Sequence, residues 1–215
     1  TTSLWVCQKE MGTVYMNSVS NVRPYPRYLG SSDATTCVLL FLYTDKSFSC
    51  AHYDSLSCVK ASLKAQVESL LYDKAAIIKN INVSMVGGYN ADGLEEGFLI
   101  SNGIVKELEV VTKALNLNTE YDVVFVCDDN RMKNEKYKGK HKPIFTDAVF
   151  DSNQKKIIPC VWENLPLITP EYRYRCASLW TSGLSGGGYD GCKHVYDWNE
   201  NVITISNRPY STFHQ

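Results

Sequence analysis

The run Cys37-Val-Leu-Leu-Phe-Leu-Tyr43 carries no charge and no breaker, so as a strand it turns apolar side chains to both faces. A strand of that kind is stable only at the centre of a sheet, covered on both sides. Thr44-Asp-Lys46 then offers a turn and residues 47–52 a second strand. The two are predicted to pair as a hairpin. The apolar run is far too short to cross a bilayer as a helix.

The chain has 215 residues, enough for one domain over 1–215 or one domain with a long appendage. With 44% hydrophobic residues it can bury a full core, which excludes intrinsic disorder. Its 22 basic and 23 acidic residues leave a formal charge of -1. That balance disfavours nucleic-acid binding by phosphate neutralisation and an electrostatic membrane anchor. Thr1 already stands in sequence that reads as folded, so the chain is expected to lack a native N-terminal extension.

Cys7, Cys37, Cys50, Cys58, Cys127, Cys160, Cys176 and Cys192 are spread along the chain, several inside apolar runs. They read as reduced thiols packed as small hydrophobes. An intracellular protein, cytoplasmic or nuclear, is favoured over a secreted one. The sequon at Asn82-Val-Ser84 falls in an alternating strand pattern, a poor place for a glycan. Cys50-Ala-His52 and Cys192-Lys-His194 are too isolated for a zinc site, so no metal is expected. The glycine-rich stretch 183–191 lacks a nucleotide-binding pattern, and no cofactor is expected.

Residues 4–8 and 13–17 read as short strands joined by a hairpin at Met11-Gly12. The prolines of Arg23-Pro-Tyr-Pro-Arg27 suit an extended approach to the turn that follows. Val59, Leu63, Val67, Leu70 and Leu71 define one helical face. Leu94, Phe98, Leu108, Val111 and Leu115 define a second, interrupted and bent at Ser101-Asn-Gly103. Residues 81–86 and 121–126 read as strands, the latter buried. Residues 144–150, 156–161, 193–197 and 202–206 also read as strands, 128–142 as a solvated basic loop, and 169–180 as a helix. Hairpin-wise strands with helices gathered mid-chain predict an α+β fold, a largely antiparallel and double-layered sheet covered by helices on one side.

The chemistry concentrates in Leu29-Gly-Ser-Ser-Asp-Ala-Thr-Thr-Cys37, where small and hydroxyl residues crowd a turn feeding a buried strand. A sulfur there lies near backbone N–H groups able to lower its pKa or to bind an oxyanion. Hairpin pairing brings His52 close to Cys37, and thiol plus imidazole is the minimum unit for attack on an amide carbon. Either residue alone is more often structural; as a pair, function and structure weigh about evenly. His141, His194 and His214 have no comparable cysteine beside them, and no Gly-x-Ser-x-Gly elbow is present.

Leu29-Gly-Ser-Ser-Asp-Ala-Thr-Thr-Cys37, the following strand and Ala51-His-Tyr-Asp54 together resemble the protein N-terminal asparagine amidohydrolases of the N-degron pathway. Val83-Ser-Met-Val-Gly-Gly-Tyr89 is similar to that family's strand ending in Val-Gly-Gly-aromatic; Val195-Tyr-Asp197 and Asn207-Arg-Pro-Tyr210 are looser matches. The resemblance implies a cysteine amidohydrolase acting on N-terminal Asn, in preference to Gln, of peptides or proteins. It implies Cys37 as nucleophile, His52 as base, and Thr35 and Thr36 beside the substrate. A more distant resemblance, to the bacterial chemoreceptor glutamine deamidases, implies a helix-covered double β-layer. It also implies that Ser31, six positions before the cysteine, orients the histidine.

A free α-ammonium in a cleft needs a carboxylate. Asp54 is the first choice, on the face of His52, and Asp33 the second. Asp33 has a competing structural role as cap of its own turn. The expected partner is thus a peptide with a free N-terminal Asn, with no nucleic acid or membrane and a monomeric state. The alternatives are a broader Asn/Gln deamidase, a cysteine protease or transglutaminase-like enzyme, and a non-enzymatic scaffold in which Cys37 is only core.

Overall fold

A computed structural model describes residues 3–16, 26–71, 77–89, 95–126, 147–160, 193–197 and 202–203. In chain order the elements are β1 (Ser3–Trp5), β2 (Glu10–Tyr15), β3 (Tyr28–Ser31), β4 (Val38–Tyr43) and β5 (Ser47–Tyr53). Then come α1 (Leu56–Leu70), β6 (Asn80–Gly87), α2 (Glu96–Ala114) and β7 (Asn118–Val126). β8 (Ala148–Asp151), β9 (Lys156–Pro159), β10 (Lys193–Asp197) and β11 (Val202–Ile203) complete the order. Among the described residues they form a seven-stranded sheet, β11-β10-β2-β5-β4-β6-β7, and a four-stranded sheet, β1-β3-β8-β9.

The apolar run lies where its composition requires. β4 sits between β5 and β6, antiparallel to both. Its turn is closed by Thr44, whose amide donates to the Ser47 carbonyl at 2.8 Å. The Thr44 hydroxyl takes the amides of Lys46 and Ser47, local bonding that fixes the hairpin register. Alternation along β4 then divides the core. Val38, Leu40 and Leu42 pack with α1 and α2, while Cys37, Leu39, Phe41 and Tyr43 face the four-stranded sheet. Each large side chain buried this way contributes about 1.5–3 kcal/mol. The result is an α+β sandwich: two sheets packed together, with both described helices on the outer face of the larger one.

α1 begins at Ser55, whose side chain accepts the Cys58 amide, and buries Cys58, Val59, Ser62, Leu63, Gln66, Val67 and Leu70 at helical spacing. Gln66 is satisfied within the core by the Leu40 carbonyl, Ser49 and Tyr53. α2 departs from expectation in two ways. It runs unbroken through Ser101-Asn-Gly103, because Gly103 lies directly against Leu56 of α1 and Ser101 bonds back to the Gly97 carbonyl. The small residues permit close helix packing rather than a bend. Its buried face is Gly97, Ile100, Ser101, Ile104, Leu108, Val111 and Thr112, which leaves Phe98 half exposed.

The predicted hairpin at Met11-Gly12 is not formed. β1 pairs in parallel with β3 of the smaller sheet, and β2 pairs antiparallel with β5 of the larger. Met11 and Gly12 lie inside β2. The change of sheet occurs at 7–10, where Lys9 adopts a left-handed φ of 60° and the Glu10 amide bonds the Cys7 carbonyl. Among the described residues β7 lies at the edge of the larger sheet, and Tyr121 and Asp122, at the start of the stretch expected to be buried, are exposed. The proline segment lies outside the described residues except for its last two positions. The basic stretch 128–142, the helix expected at 169–180 and the glycine-rich run 183–191 lie outside them entirely.

Candidate active site

β3 ends at Ser31 in one sheet, and β4 begins at Val38 in the other. The intervening turn therefore crosses the gap between the layers, and its geometry is tied down from several sides. Asp33 takes a left-handed φ of 57°, a conformation Asp tolerates, and its amide donates to the Asp147 carboxylate at 3.0 Å. The Thr35 amide bonds the Asp33 carbonyl, and the Thr35 and Cys37 carbonyls accept the amides of Tyr89 and Gly88. The Gly-Gly pair explains that close approach. Gly87 has φ +104°, and a Cβ there would lie 2.7 Å from the Ala34 oxygen and closer still to that of Cys37.

β5 delivers the histidine. His52 stands opposite Leu39, so Cys37 is its diagonal neighbour on the same face, with Cα atoms roughly 7–8 Å apart in such pairs. Both point into the layer between the sheets, where Ser31 reaches across from β3. The Ser31 hydroxyl lies 2.9 Å from His52 Nδ1 and donates to the Val6 carbonyl at 2.6 Å. A hydroxyl has one proton. With that proton given to Val6, Ser31 accepts from Nδ1–H, and Nε2 is the basic nitrogen of the ring.

Burial sets the charge state. His52 is held neutral, its pKa lowered to about 4 by loss of solvation, with the charge of Asp54 acting in the opposite sense. The Cys37 thiol is pushed up to about 12 by the same loss of solvation, reinforced by the negative charges of Asp54 and Glu96. Its own amide and the Thr36 hydroxyl act the other way, as the turn suggested, but they do not win. Of the two roles open to the turn amides, lowering the thiol pKa is outweighed by burial, so the resting pair is thiol and neutral imidazole.

Asp54 follows β5 directly, and its charge reaches both Cys37 and His52. Ser55 donates to its Oδ1 at 2.9 Å and Gln8 to its Oδ2 at 3.1 Å, while Lys9 Nζ lies 3.5 Å from Oδ2. Asp33 is exposed, Thr35 is exposed and Thr36 half-buried. Gln8, Lys9, Glu96 and Asp147 are site neighbours that sequence reasoning missed, because only tertiary contacts bring them to the turn. A signal existed for Glu96 alone, since it opens the helix that follows the Gly-Gly strand. Among the described residues no three His, Cys, Asp or Glu side chains gather as metal ligands do. Cys37, Cys50 and Cys160 are free thiols. His194 lies on β10 opposite Met11, and His141 and His214 fall outside the described residues.

A family model covers residues 1–215, the whole chain, and it is a model of amidohydrolases, enzymes that cleave an amide C–N bond with water. Its description is protein N-terminal asparagine amidohydrolase, and the chain belongs to that family. No individually curated protein matches the chain.

Proposed function

We propose that this enzyme deamidates N-terminal Asn through a Cys37 thioester, with His52 as base and then acid. Sγ attacks the side-chain amide carbon while Nε2 takes the thiol proton, and the amide oxygen becomes an oxyanion held by amides of the turn. The tetrahedral intermediate collapses, His52 protonates the departing ammonia, and a thioester to Cys37 remains. Water, deprotonated by His52, then releases Asp and restores the thiol. The observation that carries this reading is the Ser31–His52 bond at 2.9 Å, which favours the tautomer a general base needs.

A thiol near 12 and an imidazole near 4 do not form a standing ion pair, so the proton moves as the C–S bond forms. Alkylation of the resting enzyme by iodoacetamide is accordingly slow, and turnover is the sharper test. Asp54 takes the substrate ammonium, since its charge already reaches both reacting groups. Fixing the ammonium and the amide together is what favours Asn over Gln, because an added methylene misplaces the carbon to be attacked.

Ser31→Ala removes a hydrogen bond to a ring that becomes charged, worth about 1.5–3 kcal/mol. The expected outcome is a loss in kcat of roughly 10–100-fold with little change in KM. An unchanged kcat would remove Ser31 from the mechanism.

The pH profile of kcat/KM separates enzyme from substrate groups. His52 must be neutral, so the acid limb should appear near 4. The thiol titrates too high to shape the basic limb. That limb should instead follow the substrate α-ammonium, at about 7.7–8.0, and fall as pH rises through it. A basic limb unmoved when the peptide amine pKa is altered would contradict ammonium recognition.

A further inference from the structure

Asp54 is not bare in this structure. Ser55 occupies Oδ1 at 2.9 Å, while Gln8 at 3.1 Å and Lys9 at 3.5 Å share Oδ2. Its carboxylate is only 12% exposed, so an arriving ammonium has little open approach. Lys9 makes the longest of the three contacts and is one-third exposed. Its backbone is anchored, with a left-handed φ of 60° and its amide on the His52 carbonyl at 3.0 Å, so the side chain can swing without moving its root. A lysine stem is flexible and its ammonium well hydrated, which makes that release easy. Two ammonium groups on one carboxylate oxygen repel each other.

We infer that Lys9 is a specificity-determining residue whose ammonium occupies Asp54 until the α-ammonium of the substrate displaces it. The inference rests on Asp54 being the ammonium site. A neutral N-terminus supplies no cation to exchange and leaves the Lys9–Asp54 pair closed. A protonated N-terminal Asn replaces one cation by another, so Asp54 is paired both before and after binding.

Calorimetric titration of a peptide beginning with Asn into the Cys37→Ala protein isolates binding from turnover. Adding Lys9→Met should tighten Kd by about twofold to fivefold, the scale of one partly exposed ion pair. Lys9→Arg, which restores a cation, should return Kd to the starting value, something a merely structural role would not do. With Cys37 present, Lys9→Met should lower KM by a similar factor. An equal or weaker affinity in Lys9→Met would overturn the inference. Asp54→Asn distinguishes the two readings. If it weakens binding while Lys9→Met fails to tighten it, only the role of Lys9 falls; if it has no effect, Asp54 is not the ammonium site and both fall.

Discussion

Cys37→Ala is expected to lower turnover of Asn-peptides by at least about 10⁴-fold, since removal of a covalent nucleophile leaves only binding and oxyanion stabilisation. The fold should survive. Cys37 sits at the sheet interface with 9% of its surface exposed, and loss of one sulfur costs about 1 kcal/mol, comparable to deleting a buried methyl. Circular dichroism and a denaturation midpoint close to that of the parent would separate lost chemistry from lost structure. The other buried thiols provide the control. Cys50 lies on β5 two residues before His52, on the same face, yet Cys50→Ala should retain activity because Cys50 is wholly buried opposite Phe41, away from the turn that holds Cys37. Activity surviving in Cys37→Ala would remove the thioester.

Gly87→Ala should be the most damaging of the small substitutions. The residue has φ +104°, and a Cβ there meets the backbone carbonyls of Cys37 and Ala34, neither of which can rotate away. Strain at such a φ costs about 1–3 kcal/mol and overpacking a similar amount. Together they predict a loss of roughly 2–6 kcal/mol in urea denaturation, with activity falling because the Cys37 carbonyl is pushed off the Gly88 amide. Gly103→Ala is the contrast. Its Cβ meets the tip of the Leu56 side chain, which can change rotamer, so the loss should stay within about 1 kcal/mol. Equal effects at the two glycines would mean that the Gly-Gly contact is not what shapes the turn.

The hairpin that unites Cys37 and His52 was legible because its signals are local. A polar turn sits between an apolar strand and a β-rich one, and the observed register pairs Leu39 with His52. The β1–β2 hairpin failed for the opposite reason. The chain instead changes sheet through a left-handed Lys9 bonded to the His52 carbonyl, and nothing in Gln8-Lys-Glu10 announces that geometry. The same contact hid Lys9 from the candidate site. Ser101-Asn-Gly103 was misread because small residues mark both helix ends and close helix contacts, and only the position of Leu56 decides between them. The raised thiol pKa was not legible because the amides of the turn are a local feature, whereas the desolvation that overrides them needs both sheets in place. Asp33 and Asp54 could be nominated from sequence. Their surroundings, Asp147 for one and Gln8, Lys9 and Ser55 for the other, belong to the tertiary structure.

Mass spectrometry of the enzyme during turnover shows whether a thioester to Cys37 forms. A peptide with a free N-terminal Asn is mixed with the protein, quenched in acid, and both components are weighed. The account predicts conversion of the peptide to its Asp form. It also predicts a transient enzyme species heavier by the peptide less ammonia, mapping to Cys37 and absent with an acetylated peptide. Conversion with no adduct at Cys37, an adduct at another cysteine, or equal reaction of the acetylated peptide would contradict it.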